Sequence, residues 1–267
     1  RVVLDQTCVD LLLELLQNPE LKKVGICQYR YSGSPFMTKL LSTLRDHEHL
    51  EMLGIGHLGS KEEEEPFRRL LLQGRLRELR LEECHITRGV SEALIGNASL
   101  ETPISQLTIA NNSFENFDSF GRVLAASKQL EELRIEFTDP SDEFLTCLMN
   151  GIAGCSRLRR LWITWNEQST EESQRAHLEK VKKVLVGIAQ CPELRSLKMD
   201  NIPVLAELLP TIRKTLLSLK FIEHFRMDTT KLSSEESVKF ARFLSRLPNL
   251  KTGFFNAESG EPILTSF

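Results

Sequence analysis

The sequence predicts an α/β solenoid in which a parallel sheet of about nine strands is backed by helices. Two observations predict it: a Leu-x-x-Leu-x-Leu strand motif that recurs along the chain, and helical spacing of apolar residues between the motifs. The pattern is most complete in two stretches, Leu76-x-x-Leu79-x-Leu81-x-x-Cys84-x-Ile86 and Ile104-x-x-Leu107-x-Ile109-x-x-Asn112-x-Phe114.

The central apolar residue of each strand motif recurs at an almost constant interval. These residues are Val24, Leu53, Leu79, Leu107, Leu133, Leu161, Leu197, Phe225 and Gly253. The intervals are 29, 26, 28, 26, 28, 36, 28 and 28 residues, so we expect one repeat domain spanning residues 1–267. Val2-Val3-Leu4 is a candidate remnant of a tenth strand. Gly253 fits the pattern least well, so the strand at 250–255 is expected to be the least securely packed.

The segments between the strands have helical periodicity. Predicted apolar helix faces include Leu11, Leu12, Leu15 and Leu16; Phe36, Leu40, Leu41 and Leu44; Phe117, Phe120, Val123 and Leu124; Phe144, Leu145, Leu148 and Ile152; Leu205, Leu208, Leu209 and Ile212; and Val238, Phe240, Ala241 and Leu244. Ser141 and Ser233-x-x-Glu236 are expected to cap two of these helices. The 36-residue interval from Leu161 to Leu197 is expected to lengthen an outer loop and helix, the alternative being a functional insertion. Glu62-Glu63-Glu64-Glu65 is expected to begin a helix, the alternative being an acidic docking motif.

Composition narrows the possible function classes. The net charge of −3 disfavours nucleic acid as a partner, and no apolar run approaches the roughly 20 residues that span a bilayer. No nucleotide-binding loop, nucleophile elbow or zinc-protease motif is present, so we expect no enzyme activity and no cofactor. His47 and His49 flank Glu48, which we interpret as a polar turn rather than a metal site. We expect the six cysteines to be reduced structural thiols.

Side-chain alternation along each strand predicts the surface that binds a partner. If Leu79 and Leu81 point into the core, Arg80 and Glu82 point to the other face of the sheet, and the same holds in each repeat. The candidate partner-binding residues on that face are Arg80, Glu82, Arg134, Glu136, Arg160, Trp162, Thr164, Lys198, Asp200, His224, Arg226 and Asp228.

Two interpretations of this face remain open from the sequence. Arg134 with Glu136, Lys198 with Asp200, and Arg226 with Asp228 could be pairs that only keep the sheet soluble. Trp162, flanked by basic residues, instead has the composition of a binding hot spot, whereas Trp165 could be buried in the turn. His224, beside Arg226, is a candidate pH-sensitive contact.

The repeat length, the strand motif and the turn residues Cys84 and Asn112 resemble the ribonuclease-inhibitor-like branch of the leucine-rich-repeat superfamily, over about residues 11–255. This resemblance implies a horseshoe with the parallel sheet on the concave side. Tyr29, Leu58 and Ile202 depart from the Asn or Cys of the turn position, so irregular coils are expected toward both ends of the array.

A finer resemblance is to one class of proteins within that branch. It rests on the turn positions Thr138 and Thr230 and on the junctions Cys155-Ser-Arg-Leu158 and Cys191-Pro-Glu-Leu194. With these features the chain looks like the C-terminal sensor region of cytosolic nucleotide-binding leucine-rich-repeat immune receptors. That resemblance implies a cytoplasmic location and an upstream nucleotide-binding module in the same parent chain as an internal partner.

Three function classes therefore stand. The first is a non-enzymatic scaffold that binds a protein or peptide through the concave sheet. The second is the substrate-receptor repeat region of an F-box-type ubiquitin ligase, and the third is a GTPase-activating repeat protein that completes another protein's active site.

Overall fold

A computed structural model of the chain divides into two compact units, unit 1 (residues 1–130) and unit 2 (131–267). It describes the backbone of residues 2–3, 6–26, 29–30, 36–166, 173–203, 205–228, 231–256 and 262–266. Side chains are described for residues 7–26, 36–166, 177–202, 205–227 and 231–253. Strands and helices alternate in both units, which confirms the predicted α/β class.

Unit 1 contains four main strands, short accessory strands and five helices within its described residues. In chain order these are β1 (Val2–Val3), α1 (Gln6–Leu15), β2 (Lys23–Ile26), β3 (Tyr29–Arg30), α2 (Phe36–Arg45), β4 (Met52–Gly56), α3 (Lys61–Leu72), β5 (Glu78–Glu82), β6 (His85–Ile86), α4 (Arg88–Ala98), β7 (Gln106–Ala110), β8 (Ser113–Phe114) and α5 (Phe117–Ala126).

The main strands of unit 1 pair in parallel in the order β2, β4, β5, β7. Val24 pairs with Leu53, Leu53 with Leu79 and Leu79 with Leu107, in the register that the spacing predicts. These residues are buried against the helices, which pack side by side with their neighbours in the chain. The alternation of period-2 strands with helices thus produces a two-layer unit with one apolar core.

The turns after β4, β5 and β7 of unit 1 each begin with a residue in the left-handed region. His57, Glu83 and Asn111 have φ of 59°, 51° and 50°, a conformation that His and Asn adopt more readily than most side chains. Leu58 and Cys84, the residues that follow the first two, are buried. The irregular coil expected at Leu58 is therefore wrong, because an apolar side chain fills the same inward position.

Unit 2 repeats the alternation with longer strands. Its described elements are β9 (Glu132–Phe137), α6 (Asp142–Ala153), β10 (Arg160–Trp165), α7 (Ser173–Ile188), β11 (Ser196–Pro203), a 3₁₀ turn (Ala206–Leu208), α8 (Leu209–Ser218), β12 (His224–Asp228), α9 (Ser234–Leu244), β13 (Thr252–Asn256) and β14 (Pro262–Ser266).

Strands β9 to β13 of unit 2 pair in parallel, each with the next. Their central residues are in the predicted register, which runs Leu133, Leu161, Leu197, Phe225, Gly253. The register shifts between Met199 and Pro203, so the irregularity expected near Ile202 is present in the pairing of β11 with β12. Strand β14, which the sequence pattern does not predict, pairs antiparallel with β13 and protects its edge.

Predicted inward positions on two helices need correction. Val9 and Leu13 of α1 and Leu16, directly after it, are buried, whereas Leu11 and Leu15 are exposed, so α1 is rotated from the predicted face. Val238 of α9 is likewise exposed. The predicted apolar face of α2, for example, is confirmed, because Phe36, Leu40, Leu41 and Leu44 are all buried.

The turn position predicted at Thr138 is also wrong. Strand β9 continues to the buried Phe137, so the left-handed residue is Asp139, with φ of 39°, and the buried residue is Pro140. Val2–Val3 pairs with the accessory strand Tyr29–Arg30 and not with a main strand. The corresponding prediction at Thr230 lies outside the described residues.

Helix starts and the long interval follow the sequence. Ser141 and Ser233 accept hydrogen bonds from the N–H groups of Phe144 and Glu236, as predicted for caps. The acidic run begins α3, where the Glu63 carboxylate accepts from the backbone N–H of Ser60. Helix α7 has 16 residues against 10 to 12 in the other described helices, so the 36-residue interval does lengthen a helix. Its loop, 167–172, lies outside the described residues.

Candidate functional site

The outer face of unit 2 is the side of its sheet opposite the helices. The alternation of β9 to β12 places Leu133, Leu161, Leu197 and Phe225 in the core. It places most of the predicted binding residues together on the outer face, in register across four strands. Arg134 pairs in register with Trp162, and Trp162 with Lys198, so these side chains are cross-strand neighbours.

Glu132 anchors one end of this face. Its carboxylate accepts hydrogen bonds from Arg134 Nε at 2.5 Å and from Arg160 Nε at 2.6 Å. Only 11% of the Glu132 side chain is exposed, whereas Arg134 and Arg160 keep 43% and 50%. Burial alone would raise the pKa of Glu132, but the hydrogen bonds and charges of the two arginines outweigh it and lower the pKa. The group is therefore an ionised carboxylate held between two guanidinium groups at neutral pH.

Trp162 stands between two cations at the centre of the face. The guanidinium carbon of Arg134 lies 4.8 Å from the ring centroid, and Lys198 Nζ lies 3.2 Å from it. Because β9 and β11 flank β10 on opposite sides, the two cations reach the indole from different neighbouring strands. The indole N–H donates to Asp200 Oδ2 at 2.9 Å. Trp162 is thus half-buried, with two cations over its ring and a hydrogen bond at its polar edge.

Asp200 joins this stack to the next strand. Its carboxylate lies 2.8 Å from Lys198 Nζ and 3.3 Å from Arg226 Nε. The predicted Lys198–Asp200 pair is therefore confirmed. The predicted pairing of Arg134 with Glu136 is wrong, because the carboxylate that Arg134 contacts is that of Glu132, two residues earlier on the same face. The predicted partner of Arg226, the side chain of Asp228, lies outside the described side chains.

The remaining predicted residues of unit 2 line the two ends of the strands. At one end, Glu136 accepts from Asn166 Nδ2 at 2.8 Å, and Thr164 stands in register between Glu136 and Asp200. At the other end, His224 Nδ1 and Thr252 Oγ1 are hydrogen-bonded at 2.7 Å across β12 and β13.

Arg80 and Glu82 belong to unit 1. Arg80 pairs with Glu78, at 2.6 Å from Nη2 to Oε1, on the same strand. Their neighbours in that sheet are small: Gly54 and Thr108 pair in register with Arg80. The structure therefore assembles the unit 2 residues into one network and leaves Arg80 in a local pair.

Two contributors to the network are absent from the sequence prediction. Glu132 and Asn166 were detectable in principle, because Glu132 lies two residues before Arg134 and so shares its face. Which carboxylate Arg134 would choose depends on the neighbouring strand, since Arg160 fixes the second oxygen of Glu132 from 28 residues away.

Trp165 belongs to the core rather than to the candidate site. Its side chain is completely buried, 5.0 Å from the ring of Phe137 and 4.6 Å from that of His177, measured between centroids. The alternative that placed Trp165 in the interior is therefore correct.

Two buried thiols, those of Cys84 and Cys191, have raised pKa values. Burial raises the pKa of Cys84 to about 11 and that of Cys191 to about 12, so both remain protonated near neutral pH. Both are free thiols. Across the described residues, no three or more His, Cys, Asp or Glu side chains are placed to hold a metal ion. In the same part of the chain, no helix combines the length and apolar character needed to cross a bilayer.

Comparison with known proteins gives a limited result. No protein-family model matches the sequence, and no curated protein matches it. Among solved structures, the chain is similar to the tropomodulin C-terminal domain from Caenorhabditis elegans, with 13% sequence identity and a TM-score of 0.33. That similarity covers 66% of this chain and 92% of the tropomodulin chain. A likeness of this degree carries no conclusion about function.

Proposed function

We propose that this chain is a non-enzymatic recognition scaffold that binds a protein or peptide partner through the outer face of unit 2. The supporting observation is the Arg134–Trp162–Lys198 stack, which Glu132 and Asp200 hold in place. Trp and Arg are enriched at binding hot spots, and side chains that are already immobilised lose less conformational entropy when a partner binds.

The proposal includes the finer expectations from the sequence. The scaffold is a leucine-rich-repeat solenoid of horseshoe form, supported by the in-register central strand residues within each unit. By its resemblance, it is the ligand-sensing repeat region of a cytosolic innate-immune receptor, and an upstream nucleotide-binding module is a further candidate partner. The predicted binding residues on the outer face carry the recognition, with Asp228 included from the sequence.

Affinity capture with matched variants tests the binding surface. The outer-face variant combines Arg134→Glu, Arg226→Glu and Trp162→Ala. The control, on the helices of the same unit, combines Lys182→Glu, Lys239→Glu and Leu217→Ala, where Leu217 is an exposed apolar residue. Both variants change the charge equally and remove one large apolar side chain, so a surface effect separates from a general charge effect.

The expected result is a partner that the wild type and the control retain and the outer-face variant loses. Circular dichroism and melting temperature establish first that both variants are folded. Because Arg134→Glu places a second acid beside Glu132, a milder variant with Arg134→Gln and Trp162→Ala is captured in parallel. Retention of every partner by both outer-face variants would move the binding surface elsewhere and refute the proposal.

A further inference from the structure

Acids and cations occupy different depths on the outer face of unit 2. Three carboxylates each hold two cations: Glu132 holds Arg134 and Arg160, Asp200 holds Lys198 and Arg226, and Glu223 holds Arg195 and Lys251. The acid side chains are 11% to 21% exposed. Five of the six cations are at least 43% exposed. The surface that a partner meets is therefore richer in positive charge than the residue count implies.

The charge count agrees with this arrangement. It covers the described side chains on the outer face of β9 to β13 and the residue before each strand. The cations are Arg134, Arg159, Arg160, Arg195, Lys198, Arg226 and Lys251, and the acids are Glu131, Glu132, Glu136, Asp200 and Glu223. Among these described side chains seven cations outnumber five acids, in a chain whose net charge is −3, and Asp228 of β12 lies outside the count.

Trp162 acts here as a positioning residue. Two cations lie over its ring and its N–H is bonded to Asp200, so the indole is already engaged by its neighbours on this face. The ring instead holds Arg134 and Lys198 in fixed rotamers through cation–π contacts. None of the exposed large apolar side chains among the described residues lies on this face, which disfavours an apolar partner surface or insertion into a membrane.

Arg134 and Arg160 have unused donors that point to the chemistry of the partner. Each bonds Glu132 through Nε, and within the described residues no hydrogen bond is made by a terminal nitrogen of either guanidinium group. Two parallel N–H donors at the end of a guanidinium match the two oxygens of a carboxylate. Two such ends, held by one shared carboxylate, form a preorganised pair of receptors for acidic side chains.

We infer that the outer face of unit 2 binds an acidic peptide segment of a protein partner, whose Asp or Glu carboxylates are received by Arg134 and Arg160. This inference rests on the proposed scaffold function and specifies the partner's chemistry. Lys198 and Arg226 contribute positive charge beside this pair, and Trp162 fixes the positions of the cations that flank it.

Selection from a random dodecapeptide library displayed on phage tests the inference directly. Panning on the wild-type protein is expected to enrich Asp and Glu. A synthetic enriched peptide is then measured by fluorescence anisotropy against its Glu→Gln and Asp→Asn analogue, which should bind about tenfold more weakly.

The protein variants are chosen so that Glu132 is never left as an unpaired buried charge. The triple variant Glu132→Gln, Arg134→Gln, Arg160→Gln is expected to weaken the acidic peptide about tenfold or more, whereas Glu132→Gln alone, which keeps both arginines, binds at least as tightly as wild type. Trp162→Leu weakens binding about threefold and Trp162→Phe restores it, because Phe keeps the ring face but not the N–H.

Each outcome bears on a different part of the inference. If the enriched peptides are apolar or basic and the triple variant no longer binds them, the acidic preference is overturned, whereas the scaffold role is retained. Peptides that the triple variant retains, or no enrichment at all, overturn the inference, and the capture experiment then decides the scaffold role independently. Binding of phosphatidylserine vesicles that the triple variant loses, without acidic enrichment, overturns the peptide in favour of a lipid surface.

Discussion

The two units share a backbone repeat but differ in where their most connected polar side chains lie. In unit 1, Asn112 bonds the N–H of Cys84 and the carbonyl of Leu81 inside the turn, at 2.6 and 2.9 Å. Asn97, almost completely buried, bonds the carbonyl of Leu71 and the N–H of Ile104. These side chains satisfy backbone groups that would otherwise be buried without partners.

Unit 2 has its dense polar network on the outer face of the sheet. The outer positions of unit 1 include Gly25, Gly54, Gly56 and Ala110, while the corresponding positions of unit 2 include Arg134, Trp162, Lys198 and Asp200. At the buried turn position, unit 2 has Pro140 and Ile202. Successive side chains of a strand point to opposite faces of the sheet. The inward residues can therefore stay apolar and stabilise the fold while the outward residues differ from repeat to repeat. The comparison teaches that the regular apolar and turn residues of the motif stabilise the fold in both units. The candidate site is found where large polar and aromatic residues replace small ones on the outer face.

The largest expected effect concerns the turn of unit 1. Asn112→Ala removes both hydrogen bonds of the side chain and leaves the Cys84 N–H and the Leu81 carbonyl without that partner, so we expect it to lower the free energy of unfolding by about 2 kcal/mol. Thr138→Ala, at the predicted but exposed turn position of unit 2, should change it by about 0.5 kcal/mol or less. Urea unfolding monitored by circular dichroism measures the stability of both variants. Equal losses of stability would show that the two turn positions do not differ in the way the comparison requires.

The next effect is the pH dependence contributed by Glu132 in unit 2. Its pKa is lowered in the folded state relative to about 4.3 in the unfolded chain, so folding favours the ionised form. The stabilisation is complete well above that ordinary value and is lost as the pH falls through the lowered folded pKa. We expect wild type to exceed Glu132→Gln by about 1 kcal/mol at pH 7 and the difference to vanish near pH 3. Urea unfolding of both proteins from pH 7 to pH 3 measures this difference. A stability difference that does not change with pH would contradict its assignment to the ionisation of Glu132.

The smallest effect compares one arginine from each unit. Arg80 and Arg134 are similarly exposed and each pairs with an acid two residues earlier. Arg80→Ala should lower the free energy of unfolding by about 0.5 kcal/mol or less, as for an exposed pair. Arg134→Ala should lower it by about 1 kcal/mol, because the Arg134 side chain also covers Trp162 and neutralises buried Glu132. Double-mutant cycles with Glu78→Ala and Glu132→Ala measure the coupling. A coupling in unit 1 as large as that in unit 2 would show that the outer network has no special rigidity.

The sequence by itself determined the repeat. Apolar residues at an almost constant spacing predicted every main strand and the register of its central residue within each unit, because period-2 and helical patterns depend only on local side-chain direction. It also identified the caps at Ser141 and Ser233 and most of the residues that share the outer face.

Tertiary structure decided which partner each side chain takes. Arg134 contacts Glu132 rather than Glu136, and the Trp162 N–H reaches Asp200, 38 residues away, because the neighbouring strand brings these groups within hydrogen-bond distance. Strand β14 and the buried face of α1 are likewise known from the structure and not from the sequence pattern. A long flexible side chain has several acceptable rotamers in its own strand, and the neighbouring strands select among them. The sequence therefore specifies the face, and the fold specifies the network on it.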